Sequence, residues 1–147
     1  MNLNGNVEMK GKLSIIVTGQ DGLIKQEMVI PNLVVTAGKV YIASRMVGTA
    51  STVMSHMAIG LGTTSPAVTD TAMGSSLYRA AVTSFTATAN VVTAVATFAG
   101  GLGTGAITEA GIFNAATNGT MLCRTTFPVV NKGVGDSIAI TWAITVS

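Results

Sequence analysis

Charge is scarce in this chain. Eight basic and six acidic residues in 147 make it 10% charged, with a net charge of +2; an average soluble chain is about a quarter charged. A lone folded monomer of this size exposes roughly 7,000 Å², so its surface would be thinly charged. Scattered Lys and Arg build no electrostatic footprint, which argues against a nucleic-acid partner. Intrinsic disorder needs low hydrophobicity and high net charge, and 48% apolar residues exclude it. The composition fits a protein that hides much of its outside against neighbouring subunits.

Cysteine and histidine are rarer still. One cysteine, Cys123, rules out an intrachain disulfide. The start, Met1 to Lys10, has no apolar core and carries Glu8, so it is not a signal peptide. Both points suggest folding in a reducing cytoplasm. With one histidine, His56, and six scattered acids, a zinc site lacks ligands. No metal or cofactor is expected. A Cys123–His56 catalytic pair has no local support, and a cysteine in an alternating strand reads as a small core residue.

No charge falls between Arg79 and Glu109, a stretch long enough to span a bilayer. Its many threonines and the glycines of 100–105 argue against a spanning helix. No membrane partner is expected.

What is present is alternation of period two, broken by glycine turns. Strand-like runs cover 12–18 and 23–30, joined by Gly19-Gln20-Asp21-Gly22. Pro31 is expected to stop the second run, because it lacks the N–H a sheet interior requires. Thr36 is expected to cap a short helix over about 37–47, with Val40, Tyr41, Ser44 and Val47 on one face and Gly48 ending it. Strands resume from Val53, then at 77–89, 91–99, 106–114, 120–130 and 137–146. Asn118-Gly119 is the strongest turn signal. In the last run Ile138, Ile140, Trp142, Ile144 and Val146 share one face.

About eight short strands predict an all-β, antiparallel sandwich or jelly-roll-like domain over 12–147. Residues 1–11 hold four apolar side chains. That is too little burial to offset roughly 1–2 kcal/mol per residue of ordering entropy. They are therefore expected to form an arm that packs on another chain.

The chemically suggestive pieces have bland counterparts. Gly60-Leu61-Gly62-Thr63-Thr64-Ser65 resembles a phosphate loop but lacks its lysine and the helix that should follow. Gly101 to Gly105 precedes a strand-like run instead of opening a helix. Asp70 reads as a turn former or cap. Glu109 sits in the apolar run Thr108-Glu109-Ala110-Gly111-Ile112-Phe113. Burying a carboxylate alone costs several kcal/mol, so an ion pair with Arg124 or Arg79 is expected ahead of a catalytic acid. No constellation of acid, base and nucleophile marks an enzyme.

From Asn32 onward the ordered pieces resemble a module of tailed-bacteriophage structural proteins. They are Asn32-Leu33-Val34-Val35-Thr36-Ala37-Gly38 before a helix, Ile59-Gly60-Leu61-Gly62-Thr63-Thr64-Ser65-Pro66-Ala67 followed by Asp70 and Arg79, Ile107 to Ala115, Gly119 to Phe127, and Lys132 before the Trp142 strand. Two departures are the uncharged Ser75-Ser76-Leu77-Tyr78, where the module has an acid before the arginine, and the glycine-rich 100–105. The module is similar to capsid decoration (cement) proteins and to parts of tail-fibre and baseplate proteins, and it carries no active site. The resemblance implies a virion component assembled in the host cytoplasm. The small size favours a cement protein clamping neighbouring capsomers, as a homotrimer on the major capsid protein. A tail, collar, baseplate or fibre-associated component, including a glycan-binding adhesin, is the alternative.

Overall fold

The computed structural model describes residues 7–49 and 52–147. The strands are β1 (Met9–Thr18), β2 (Ile24–Val34), β3 (His56–Gly60), β4 (Ser76–Ala81), β5 (Ser84–Thr88), β6 (Val91–Phe98), β7 (Gly105–Phe113), β8 (Met121–Lys132) and β9 (Ser137–Val146). One helix, α1 (Thr36–Met46), follows β2. The strands form one sheet in the order β4-β3-β7-β8-β2-β1-β9-β6-β5, with every ladder antiparallel. The protein is all-β with one short helix. It has nine strands among the described residues, one more than the alternation suggests.

The extra strand comes from the 77–89 run, which is two strands. Val82 N–H donates to the Ser55 carbonyl at 2.9 Å, beside β3, while Thr83 N–H donates to the Val95 carbonyl at 2.7 Å, in β6. The chain thus changes partner across one peptide. β4 and β5 are consecutive in sequence yet stand at opposite ends of the sheet order. Only a curled sheet can place its two ends that close together. Tyr78 of β4 accordingly meets Phe98 of β6 edge to face, 6.3 Å between ring centres.

The curl encloses one core. Leu13, Ile15 and Val17 of β1 face Ile138, Ile140, Trp142 and Ile144 of β9, all buried as the alternation predicts. β7 is buried on both faces from Ile107 to Phe113. Its second face is covered by a smaller cluster of Val35, Ala58, Phe113 and Met121, with Ala37 and Met73 packed on it.

Several expectations change. Pro31 lies inside β2, opposite Lys12 of β1. Its carbonyl accepts from the Thr125 hydroxyl at 2.8 Å. The N and C=O of one strand residue point the same way, so the missing N–H faces β8. There the ladder with β2 holds only at Leu33 and Val34, and no donor is required at Pro31. The helix is capped by Val35 without a side-chain bond. The Thr36 N–H instead reaches the Val68 carbonyl at 2.8 Å. Val40 and Val47 are 64% and 74% exposed. The inner face is Gly38, Tyr41 and Ile42, because Gly38 lies against the Leu122 backbone.

Residues 8–11 are not an arm. Met9, Lys10 and Gly11 pair with Val146, Thr145 and Ile144 of β9, and Glu8 and Ser147 exchange backbone bonds of 2.7 and 2.8 Å. Backbone pairing supplies what side-chain burial does not. Residues 1–6 of the expected arm lie outside the described residues. No helix among those described is long and apolar enough to cross a membrane.

Candidate functional site

Glu109 of β7 stands opposite Thr126 of β8, and Arg124 stands two residues along β8. Side chains two apart on a strand share a face, so the two meet diagonally. Arg124 Nε donates to Glu109 Oε2 at 2.9 Å, and the side chains are 0% and 2% exposed for Glu109 and Arg124. The 61–75 segment then closes over the pair. Gly74 N–H donates to Oε2 at 2.9 Å, and Ser75 and Gly62 N–H donate to Oε1 at 2.6 and 3.0 Å. A Cβ on Gly60 or Gly62 would fall 2.5 Å from Oε1, so glycine is what leaves the carboxylate its room.

The remaining guanidinium nitrogens hold the same segment. Nη1 donates to Asp70 Oδ2 and Nη2 to the Thr64 carbonyl, both at 2.9 Å. Asp70 also accepts from the Ala67 N–H at 2.9 Å, forming the turn expected of it. The 60–65 glycine loop thus supplies one N–H, that of Gly62, to an anion cradle completed by Gly74 and Ser75, and its anion is the protein's own Glu109. Burial pushes the Glu109 carboxyl up, but the N–H groups of Ser75 and Gly74, the Arg124 guanidinium and the Gly62 N–H outweigh it and hold it below its ordinary value. Asp70 is also lowered, first by the Ala67 N–H, against burial and with help from Arg124.

Arg79 is not part of this pair. It shares a cross-strand row with Ala58, Gly111 and Arg124. It lies two strands from Glu109, in β4 against β7, and its guanidinium is engaged elsewhere. Arg79 Nη1 donates to the carbonyls of Ala115 and Asn118, each at 2.9 Å, and its guanidinium carbon lies 3.6 Å over the Phe113 ring. Its burial lowers its pKa. It fastens the β7–β8 loop, in which Asn118 and Gly119 both take positive φ as their sequence suggests.

A second polar cluster went unforeseen. Lys132 is buried, and its Nζ donates to the Ala99 carbonyl at 2.9 Å. Asp136 accepts from Gly133 N–H at 2.8 Å and from Lys25 Nζ at 3.1 Å. The signal available was the turn Gly133-Val134-Gly135-Asp136, whose carboxylate can bond back to its own backbone. Both clusters hold loops to the sheet, and their polar atoms face one another.

Cys123 and His56 are not brought together. Cys123 is fully buried, and burial pushes its thiol well up, the reverse of an activated thiolate. His56 Nδ1 lies 2.8 Å from the hydroxyl of its neighbour Ser55. Among the described residues no three His, Cys, Asp or Glu side chains cluster as metal ligands.

The open feature is apolar. Between α1 and the β5–β6 end of the sheet runs a groove of about 590 Å³, lined by Ile42, Met46, Val53, Phe85, Val92 and Ile144 among others. A second trough, of about 550 Å³, lies between α1 and the start of β1, with Lys39, Asn32 and Met9 on its walls. The helix thus sits on the sheet with an open channel on each side. No family model, curated protein or solved structure matches the chain.

Proposed function

We propose that this chain is a structural protein of a bacteriophage virion, acting as a capsid decoration (cement) protein that clamps neighbouring capsomers as a homotrimer. One observation carries the reading: beyond its apolar core the protein buries four of its fourteen charged side chains and leaves several large apolar ones exposed. Glu109, Arg124, Lys132 and Asp136 are buried, leaving ten charged side chains for a surface of 7772 Å². On that surface Leu23, Val40, Met46, Val47, Val53 and Val134 are each more than half exposed. Of these, Met46 and Val53 join Phe85 and Ile42 along the groove beside α1, and a contiguous apolar surface of that kind suits contact with another chain. The ordered resemblance from Asn32 onward names the setting, and saturated internal polar clusters suit a scaffold better than a catalyst.

The test is the amount of this 14.9 kDa chain in purified phage particles, read from a stained gel against the major capsid protein. Hundreds of copies per particle are expected. A few to a few dozen copies would move the chain to the tail, collar or baseplate. Absence from the particle would overturn the reading.

A further inference from the structure

We propose that β5 is a self-pairing edge, and that two copies of this chain join their sheets by antiparallel β5–β5 contact. β5 ends the sheet, with β6 its one ladder partner among the described residues. All five of its residues, Ser84-Phe85-Thr86-Ala87-Thr88, are exposed. An edge strand offers a row of unpaired backbone donors and acceptors, and proteins that stay single guard it with Lys, Pro or a bulge.

The two ends of this sheet differ in that respect. β4, the other edge, carries Arg79, and its ladder with β3 is broken by a register shift between Ile59 and Gly60. β5 has no charge, no proline and an unbroken ladder to β6. No charged residue lies between Arg79 and Glu109, so two such edges meet without like-charge repulsion.

The occupant follows from the edge itself. What completes an open edge is an extended, uncharged strand, and β5 is one. A two-fold axis through Thr86 sets Thr86 against Thr86, Phe85 against Ala87 and Ser84 against Thr88. This is an isologous contact, in which one patch serves both copies. Phe85 also lines the apolar groove with Met46 and Val53, so the joint adjoins the least polar surface described above. The inference rests on the fold alone; a two-fold joint does not close a trimer, so on a particle β5–β5 contacts would link one trimer to the next.

The test is sedimentation velocity of the full chain over a micromolar to submillimolar series, with amide exchange of residues 84–88. The wild type is expected to pass from monomer to dimer, with slower exchange in 84–88 as the dimer forms. Thr86→Lys and Thr86→Glu each set like charges opposite one another and are expected to weaken pairing about fivefold or more. Mixing the two variants should restore pairing, which also shows that both are folded. A wild type that stays monomeric throughout overturns the proposal. So does a dimer that neither variant weakens, or one that the mixture does not restore.

Discussion

Arg124 Nε donates to Glu109 Oε2 at 2.9 Å in a place closed to solvent, and each partner also holds the 61–75 segment. The pair is the fastening between that loop and the sheet. Its removal from water is costly, and the cost is offset only while every lone pair and N–H in the cluster stays matched.

Glu109→Ala leaves Arg124 buried beside a vacancy. It is expected to lower unfolding free energy by about 3–5 kcal/mol, the usual cost of breaking a buried pair from one side. Glu109→Gln keeps the volume but loses the charge and should fall between that variant and wild type. Urea denaturation checks both. A Glu109→Ala midpoint equal to wild type would refute the role assigned here.

Acid should loosen the same loop. The carboxyls of Glu109 and Asp70 sit below their ordinary values of 4.5 and 3.8 in the folded state. A carboxyl lowered by folding contributes stability that is complete above its unfolded pKa and is lost as pH falls through the folded one. The contribution is therefore constant near neutrality and declines once pH drops below about 4.5. Thermal melts from pH 7 downward should show this decline, and Glu109→Gln should show a smaller one.

Gly38→Ala sets two effects against each other. Alanine favours a helix interior over glycine by about 1 kcal/mol. Here the new Cβ would fall 2.2 Å from the Leu122 carbonyl oxygen, which is backbone and cannot swing aside. Overpacking of this kind costs typically about 1–3 kcal/mol, so a net loss of stability is expected. A thermal melt checks it, and a gain in Tm would show that α1 can move off β8.

Ala89→Gly should do the opposite. Ala89 turns the β5–β6 hairpin at φ 52, where an L side chain is strained by about 1–2 kcal/mol. Glycine removes that strain and adds about 0.4–1 kcal/mol of unfolded-state entropy. The balance is a gain of about 0.5–1 kcal/mol, read from the shift of the urea midpoint. An unchanged or lower midpoint would mean the turn is not strained.

Local pattern in the chain already specified much of this. The alternation of Leu13, Ile15, Val17 and of Ile138, Ile140, Trp142, Ile144 marks which side of each strand is inside, because successive side chains point to opposite faces. Asn118-Gly119 marks a turn because these residues tolerate positive φ. The apolar neighbours of Glu109 mark a buried carboxylate that must be matched. What local pattern could not carry is which distant groups do the matching. Arg124 and Arg79 sit in equally plausible strands, and register chooses between them, two residues along on the next strand against two strands away. The donors from Gly62, Gly74 and Ser75 come from 47, 35 and 34 residues off. The split at Val82 and Thr83, the direction in which Pro31 faces and the pairing of residues 8–11 all depend on which strand lies alongside. Those choices arise when the sheet curls to enclose its core, because hydrogen-bond partners across the fold are set by register and curvature and leave no period in the sequence.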